Sequence, residues 1–322
     1  MRSLVDGRGA CTDAERRAAL ALHDELRSRG HEAWVETQWV RPQWALALAL
    51  GALLSVAGSL LSTASAVPGL VLAVLGAATI VARPFPRRAT QNVLTGLPEH
   101  GVVLAIAAGY DVPRRGLVSQ RLLRSPGPLV CAALVVAATA ARVAGSEPGW
   151  LGAVQLVPTI ALMIVVAAAI DVALSGWADS DGAAAAVALT VFDELSRETP
   201  RALRPALLLV GAADARPRAA ARQLRREGLN AERVMLLQLV DEEPFWATRH
   251  PQIRAAVERA LPALGLGTPE RRMAPTRLPT IRVGCADRDA ALDLALGVID
   301  ALDADLSARA PAARPRARPS AH

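Results

Sequence analysis

The side chains able to do chemistry in this chain are mostly aspartates at the ends of apolar runs. Asp111 closes the run Val102 to Tyr110, Asp214 follows Leu207-Leu-Leu-Val-Gly-Ala-Ala213, and Asp241 follows Leu236-Leu-Gln-Leu-Val240. Asp179 and Asp181 flank Ser180 just ahead of an alanine-rich stretch. Acids so placed serve as helix and loop caps. If their strands lie side by side, they also make a carboxylate cleft that would hold a hard cation such as Mg²⁺ or Ca²⁺ through oxygen. Softer metals have less to bind: Cys11, Cys131 and Cys285 are far apart and form no CxxC pair, which points to neither a zinc ribbon nor a disulfide framework and fits a reducing compartment. Five histidines, His23, His31, His100, His250 and His322, are scattered along the chain. All 36 basic residues are arginine, so Schiff-base and phosphate-loop lysine chemistry are excluded.

Composition points to a membrane. Of the 322 residues 52% are hydrophobic, high for a water-soluble chain. A net charge of +6 could suit nucleic acid, but only 3% of residues are aromatic, leaving little to stack on bases, and no nucleic-acid partner is expected. The arginines instead flank apolar runs and fill a tail that ends RARPSAH. No N-x-S/T site occurs, and about forty largely polar residues precede the first apolar run, which argues against a cleaved signal peptide.

From Gln43 to Ala82 no residue is charged, and Ser62 to Gly69 breaks the stretch into two helices, Trp44 to Leu61 and Pro68 to Ala82. A second apolar hairpin runs from Pro126 to Ala141 and from Trp150 to Ile170, with Pro158 set to kink its second helix. Arg41, Arg83, Arg87, Arg88, Arg114, Arg115, Arg121 and Arg124 crowd one set of helix ends, while the hairpin tips carry only Arg142 and Glu147. The expected protein is therefore a multi-pass cell-membrane protein with four spans, in contact with the lipid bilayer and with its water-soluble segments in the cytoplasm. Because each hairpin returns the chain to the same side, residues 1–43, 83–125 and 171–307 are expected to build one domain around the hairpins 44–82 and 126–170, with 308–322 a disordered basic tail.

Those soluble pieces read as α/β. Thr12-Asp-Ala-Glu15 fits a capping box, Ala18, Leu22 and Leu26 fall on one helix face, and Gly30 supplies a stop before a strand from His31 to Val40. Gln91 to Gly101 followed by Val102 to Ala108 reads as a hairpin leading into a buried strand. Helix and strand then alternate: Asp181–Arg197, Pro205–Gly211, Arg216–Glu227, Arg233–Val240, Ile253–Leu264, Leu278–Val283 and Asp287–Leu306. That alternation predicts a three-layer α/β/α sandwich, with Gly265 to Pro275 a flexible linker.

With the apolar hairpins set aside, the chain resembles the di-zinc aminopeptidase family, which includes glutamate carboxypeptidases and the transferrin receptor ectodomain. Asp13 to Glu36 resembles the family's opening helix, glycine and strand, and Gln91-Asn-Val-Leu-Thr-Gly-Leu-Pro98 its asparagine-led strand and proline turn. Ala107-Ala-Gly-Tyr-Asp111 is similar to the strand end carrying A-H-x-D, Trp177 to Ala186 to G-A-D-D-N-A-S-G-V-A, and Ala212-Ala-Asp214 to A-E-E. The resemblance implies a zinc-exopeptidase-like fold with two zinc ions sharing a carboxylate and a glutamate base. It also implies that this chain has lost them. Gly109 stands at the first ligand histidine, Ser180 at the bridging aspartate, Ala213 at the catalytic glutamate, Val240 one residue before Asp241 at a ligand aspartate, and Cys285 in the loop of the last ligand histidine.

No catalytic residue, metal ligand or cofactor is therefore expected, and Gly109, Asp111, Asp179, Ser180, Asp181, Ala213, Asp214, Val240, Asp241 and Cys285 are read as a vestigial cleft. The expected function is that of a noncatalytic membrane pseudopeptidase binding a protein or peptide partner. One alternative is an active membrane metallo-aminopeptidase holding zinc or another divalent cation through Asp179, Asp181, Asp214 and Asp241. Another is a small transporter or channel component, for which Asp171, at the edge of the fourth span, is the only charge on offer.

Overall fold

The computed structural model describes residues 9–97, 101–112, 116, 120–145, 150–175, 182–212, 219–229, 231–265, 268–271, 273 and 278–309. Its helices are α1 (Asp13–Ser28), α2 (Trp44–Leu61), α3 (Ala66–Ala82), α4 (Gln120–Leu123), α5 (Gly127–Val143), α6 (Leu151–Leu174), α7 (Ala183–Arg197), α8 (Ala219–Arg226), α9 (Pro251–Leu264) and α10 (Arg288–Arg309). Its strands are β1 (Ala33–Val40), β2 (Arg88–Thr95), β3 (Val102–Gly109), β4 (Leu203–Val210), β5 (Val234–Val240), β6 (Trp246–Thr248) and β7 (Thr280–Gly284). Local chemistry sets these limits. The Thr12 hydroxyl accepts the Glu15 amide at 3.2 Å and starts α1, whose Ala18, Leu22 and Leu26 are buried. Gly30, at φ +87°, turns the chain out of the helix toward β1.

All seven strands form one mixed sheet in the order β1-β2-β4-β3-β5-β7-β6. The inner strands β4, β3, β5 and β7 are parallel, with antiparallel β1 and β2 on one flank and antiparallel β6 on the other. A parallel strand buried on both faces has no polar side to show, which is why β3 reads Val-Val-Leu-Ala-Ile-Ala-Ala without alternation. Its side chains still divide by period two. Leu104, Ile106 and Ala108 join the core beneath α1, α7, α9 and α10, while Val103, Ala105 and Ala107 meet the shorter α8. The two helical layers are thus unequal.

Three details differ from the sequence reading. β2 and β3 are not a hairpin, because β4 lies between them, paired antiparallel to β2 and parallel to β3. The connection after Thr95 must step over one strand, about 10 Å sideways at normal strand spacing. The stretch read as a flexible linker is pinned in part: the Trp246 amide donates to Pro269 O at 3.1 Å, the Arg271 amide to Trp246 O at 2.8 Å, and Met273 is buried. The short elements β6 and α4 gave no periodic signal.

The four apolar helices pack together. Two of them, α2 and α6, are long and apolar enough to cross a membrane; α3 and α5 are 17 residues each. Between α2 and α3 the contact is backbone on backbone, because Gly51, Ser55, Gly58 and Ser62 face Gly69, Ala73 and Gly76. A Cβ on Gly58 would meet Gly69 O at 2.6 Å, and backbone on the facing helix cannot yield without moving the helix itself. Polar groups tie α2 to α6: Gln155 Nε2 donates to Ser59 O at 2.8 Å and to Ser62 Oγ at 2.9 Å, and the Ser59 and Thr159 hydroxyls are 2.7 Å apart.

The described junctions between sheet and bundle lie at one edge of the sheet, the one where the parallel strands end. Val40 pairs with Arg88 at the end of the β1–β2 ladder, beyond the level at which Asn92 meets Val210, the last residue of β4. β1 therefore leaves for α2, and β2 arrives from α3, at the carboxyl edge. β3 also ends there, upstream of α5, and α7 begins there after α6.

Close packing of α2 on α3 makes a sharp contrast. Gly58→Leu should lower the unfolding free energy of the purified protein by about 1–3 kcal/mol through overpacking. Gly152→Leu, whose new Cβ meets nothing within 4 Å, should leave the thermal midpoint unchanged or raised. Equal midpoints for the two variants in detergent would contradict the tight α2–α3 contact.

Candidate functional site

In parallel α/β sheets ligands bind beyond the carboxyl ends of the strands. Here Val210, Gly109, Val240 and Gly284 form a row across β4, β3, β5 and β7: Gly109 pairs with Val210, Ala108 with Leu239, and Val240 with Gly284. At normal strand spacing Gly109 lies about 10 Å from Gly284 and Cys285. The sequence-predicted residues Gly109, Asp111, Val240, Asp241 and Cys285 are thus brought to one edge. Asp179, Ser180, Asp181, Ala213 and Asp214 lie outside the described residues.

What these side chains do there is mostly structural. Asp241 Oδ1 accepts the Ala184 amide at 2.6 Å, so its charge satisfies and stabilises the first turn of α7. The Cys285 amide donates to Val240 O at 2.9 Å and its side chain is fully buried. Burial, reinforced by the negative charge of Asp241, pushes the Cys285 thiol up to about 12, so it is protonated at neutral pH. A Cβ on Gly284 would strike the Glu243 carbonyl, so this strand end has no room for a larger residue.

Glu15, which the sequence reading treated only as a helix cap, is a fully buried carboxylate at this edge. It accepts the Cys11 amide and the Thr90 hydroxyl, with the Gln91 amide at 3.4 Å and the Tyr110 hydroxyl at 3.5 Å. Tyr110 has one hydroxyl proton, and its shorter contact, 2.7 Å to Gln91 O, takes it. Gly211 is required beside them, since a Cβ there would collide with Glu15 Oε1 and Gln91 O. Burial raises the Glu15 pKa above its ordinary 4.5 despite the donors around it. Burial first, then the charges of Glu15 and Asp111, push the nearby Cys11 thiol up to about 12. A Thr-x-x-Glu spacing carries no sign that its glutamate will cross to a sheet 75 residues away.

Glu15, Tyr110, Asp111, Ala212 and Cys285 are all buried at the carboxyl edge. These residues do not fit a di-zinc centre. Gly109 has no ligand atom, and Asp241 is engaged by the start of α7. No three His, Cys, Asp or Glu side chains converge as a metal site among the described residues. The described histidines lie elsewhere. His31 precedes β1 at the opposite end of the sheet and contacts Asp193, His250 precedes α9, and His23 sits on α1 beside Asp24.

No protein-family model matches the chain, and no curated protein sequence matches it. Among solved structures, a zinc aminopeptidase from Bacillus subtilis is similar at a TM-score of 0.47 with 9% identity, covering 94% of this chain and 91% of its own. An aminopeptidase from Aneurinibacillus sp. strain AM-1 gives 0.47 and 9%, covering 94% and 90%. A glutaminyl cyclase from Porphyromonas gingivalis gives 0.41 and 12%, covering 94% and 93%. Likeness at this level says nothing about chemistry, which has to come from the chain's own side chains.

Glu15 makes a signed prediction. Its folded pKa is raised, so between its ordinary value and the raised one the folded state binds more protons, and stability is lost as pH rises through that window. Glu15→Gln cannot titrate. The unfolding free energy of the natural protein relative to Glu15→Gln should therefore fall as pH increases above about 4.5, measured by denaturant unfolding at a series of pH values. A difference that grows with pH would contradict the raising of the Glu15 pKa by burial.

Proposed function

We propose that this chain is a noncatalytic, multi-pass membrane protein whose peptidase-like domain holds a protein or peptide partner at the cytoplasmic face. The observation that carries this reading is the carboxyl edge itself. Glu15, Tyr110, Asp111 and Cys285 are buried there, none of the described histidines reaches it, and the bundle is attached along it. Among the described residues this edge assembles no group of metal ligands such as hydrolysis of a peptide would use.

Membrane insertion is supported by the bundle's surface. Leu50, Leu53, Val71, Leu75, Val157 and Ile164 are exposed on the outward faces of helices with no water-facing stripe. The 24 residues of α6 span about 36 Å, enough for a ~30 Å hydrocarbon core. In this reading α3 and α5 cross beside α2 and α6 as the second member of each hairpin, and the arginines at the sheet end set the orientation. A peptide partner is supported by β1, an eight-residue edge strand with neither proline nor lysine to blunt it. No cofactor belongs to this function.

The test is direct. Protein purified without chelators should contain no stoichiometric zinc by elemental analysis and should hydrolyse no aminoacyl-nitroanilide with zinc added. Zinc-dependent hydrolysis that Asp214→Ala abolishes would overturn the noncatalytic reading.

A further inference from the structure

At the junction of sheet and bundle, arginines accumulate. The β1–β2 ladder ends with Val40 paired to Arg88, and Arg41 and Arg87 are the next residues along the two chains. Three arginines therefore stand within one residue of the ladder's end, Arg88 on the face of the sheet that carries Val40, where both strands turn toward apolar helices. Like charges facing each other across a ladder are destabilising unless something of opposite sign lies between them. Nothing described supplies it: Arg41, Arg83, Arg87 and Arg88 form no ion pair with any described residue, and the Nε of Arg41 is buried with no hydrogen-bond partner. The acids closest in the fold, Glu15 and Asp111, are buried, and Glu15 is committed to the Thr90 and Cys11 donors.

The segment carrying these charges is held in place. Arg83 takes a left-handed conformation at φ 49°, ending α3, and Pro84 and Pro86 fix the backbone on either side of half-buried Phe85. Arg83, Arg87 and Arg88 are exposed. Beside them Trp39 is 59% exposed, an amphipathic ring at the level where the chain passes from sheet to bundle. Guanidinium groups accept phosphate oxygens in pairs, and a tryptophan belongs at the headgroup level of a bilayer.

We infer that Arg41, Arg83, Arg87 and Arg88 form a binding site for the phosphate of an anionic phospholipid at the base of the α2–α3 hairpin. The inference rests on the membrane reading above and adds a ligand to it. Bound lipid offsets the mutual repulsion at the end of the β1–β2 ladder and so holds the sheet against the membrane surface. A basic residue near such a surface contributes roughly fivefold in affinity, so neutralising Arg41, Arg87 and Arg88 together weakens binding by about a hundredfold.

The full chain in a neutral detergent is titrated with short-chain phosphatidylglycerol, with phosphatidylcholine of the same chain length, and with inorganic phosphate, reading the thermal midpoint. The expected result is a saturable rise with phosphatidylglycerol only, lost in the Arg41→Gln, Arg87→Gln, Arg88→Gln triple variant and reduced in the single exposed variant Arg87→Gln. The single variant keeps the test valid if the triple one does not fold. Equal stabilisation by phosphatidylcholine, equal stabilisation by inorganic phosphate, or an unchanged response in Arg87→Gln would each overturn the site. Extraction of the native chain from vesicles by alkaline carbonate tests insertion separately, so failure of the membrane reading is distinguishable from failure of the lipid site.

Discussion

The carboxyl edge of the parallel strands has to do two things at once in this protein. It is the edge at which α/β sheets leave space for ligands, because loops there diverge from neighbouring strand ends. It is also the edge at which the chain passes between sheet and apolar helices, leaving at Val40 and after Gly109 and returning at Arg88. Strands that must hand their chain to a nearby bundle cannot also diverge freely around a pocket. The buried groups at this edge follow from that conflict: Glu15, Tyr110 and Cys285 occupy the volume between strand ends, and Gly211 and Gly284 are as small as they are because neighbouring backbone and carboxylate already stand where a side chain would.

The same edge explains how acids come to be structural. A carboxylate in a dry site is costly unless donors surround it. Glu15 has amides and a hydroxyl about it, and Asp241 has the start of α7. In each case the charge fastens one element to another distant in sequence, α1 to β2 and β5 to α7. Across the sheet a further network, Gln38 to Gln223 and Gln223 to Glu36 and Glu227, ties β1 to α8 with amide groups in place of apolar contact. These links are directional, so they fix register where the alanine-rich core alone would tolerate sliding.

Much of the fold was legible in the sequence because the signals were local and repeated. Capping by Thr12, the uncharged stretch from Gln43 to Ala82 and the helix–strand alternation after Gly182 each place an element within a few residues. Strand order was not legible. Nothing in Val102 to Gly109 says that it pairs with β4 and β5, while β2, its neighbour in sequence, lies one strand further away. Of the candidate site, Asp111 and Asp241 were singled out because they close apolar runs, and Gly109, Val240 and Cys285 by motif resemblance; the strand ends of the parallel sheet bring these five to one edge. Glu15 was missed because its position in a capping motif accounted for it locally, and only the tertiary approach of β2 gives it a second set of partners.

The α2–α3 hairpin also bears on the order in which the chain can fold. β1 and β2 are separated by residues 41–87, a loop whose closure from a disordered chain costs about 3 kcal/mol before any ladder bond forms. Once glycine-faced α2 and α3 have closed on each other, only the short stretches 41–43 and 83–87 remain to be ordered, and the closure term falls by roughly 1.5 kcal/mol. The apolar hairpin thus acts as a splint for the sheet. It delivers two strand ends side by side, so that a pairing distant in sequence forms with the kinetics of a local one.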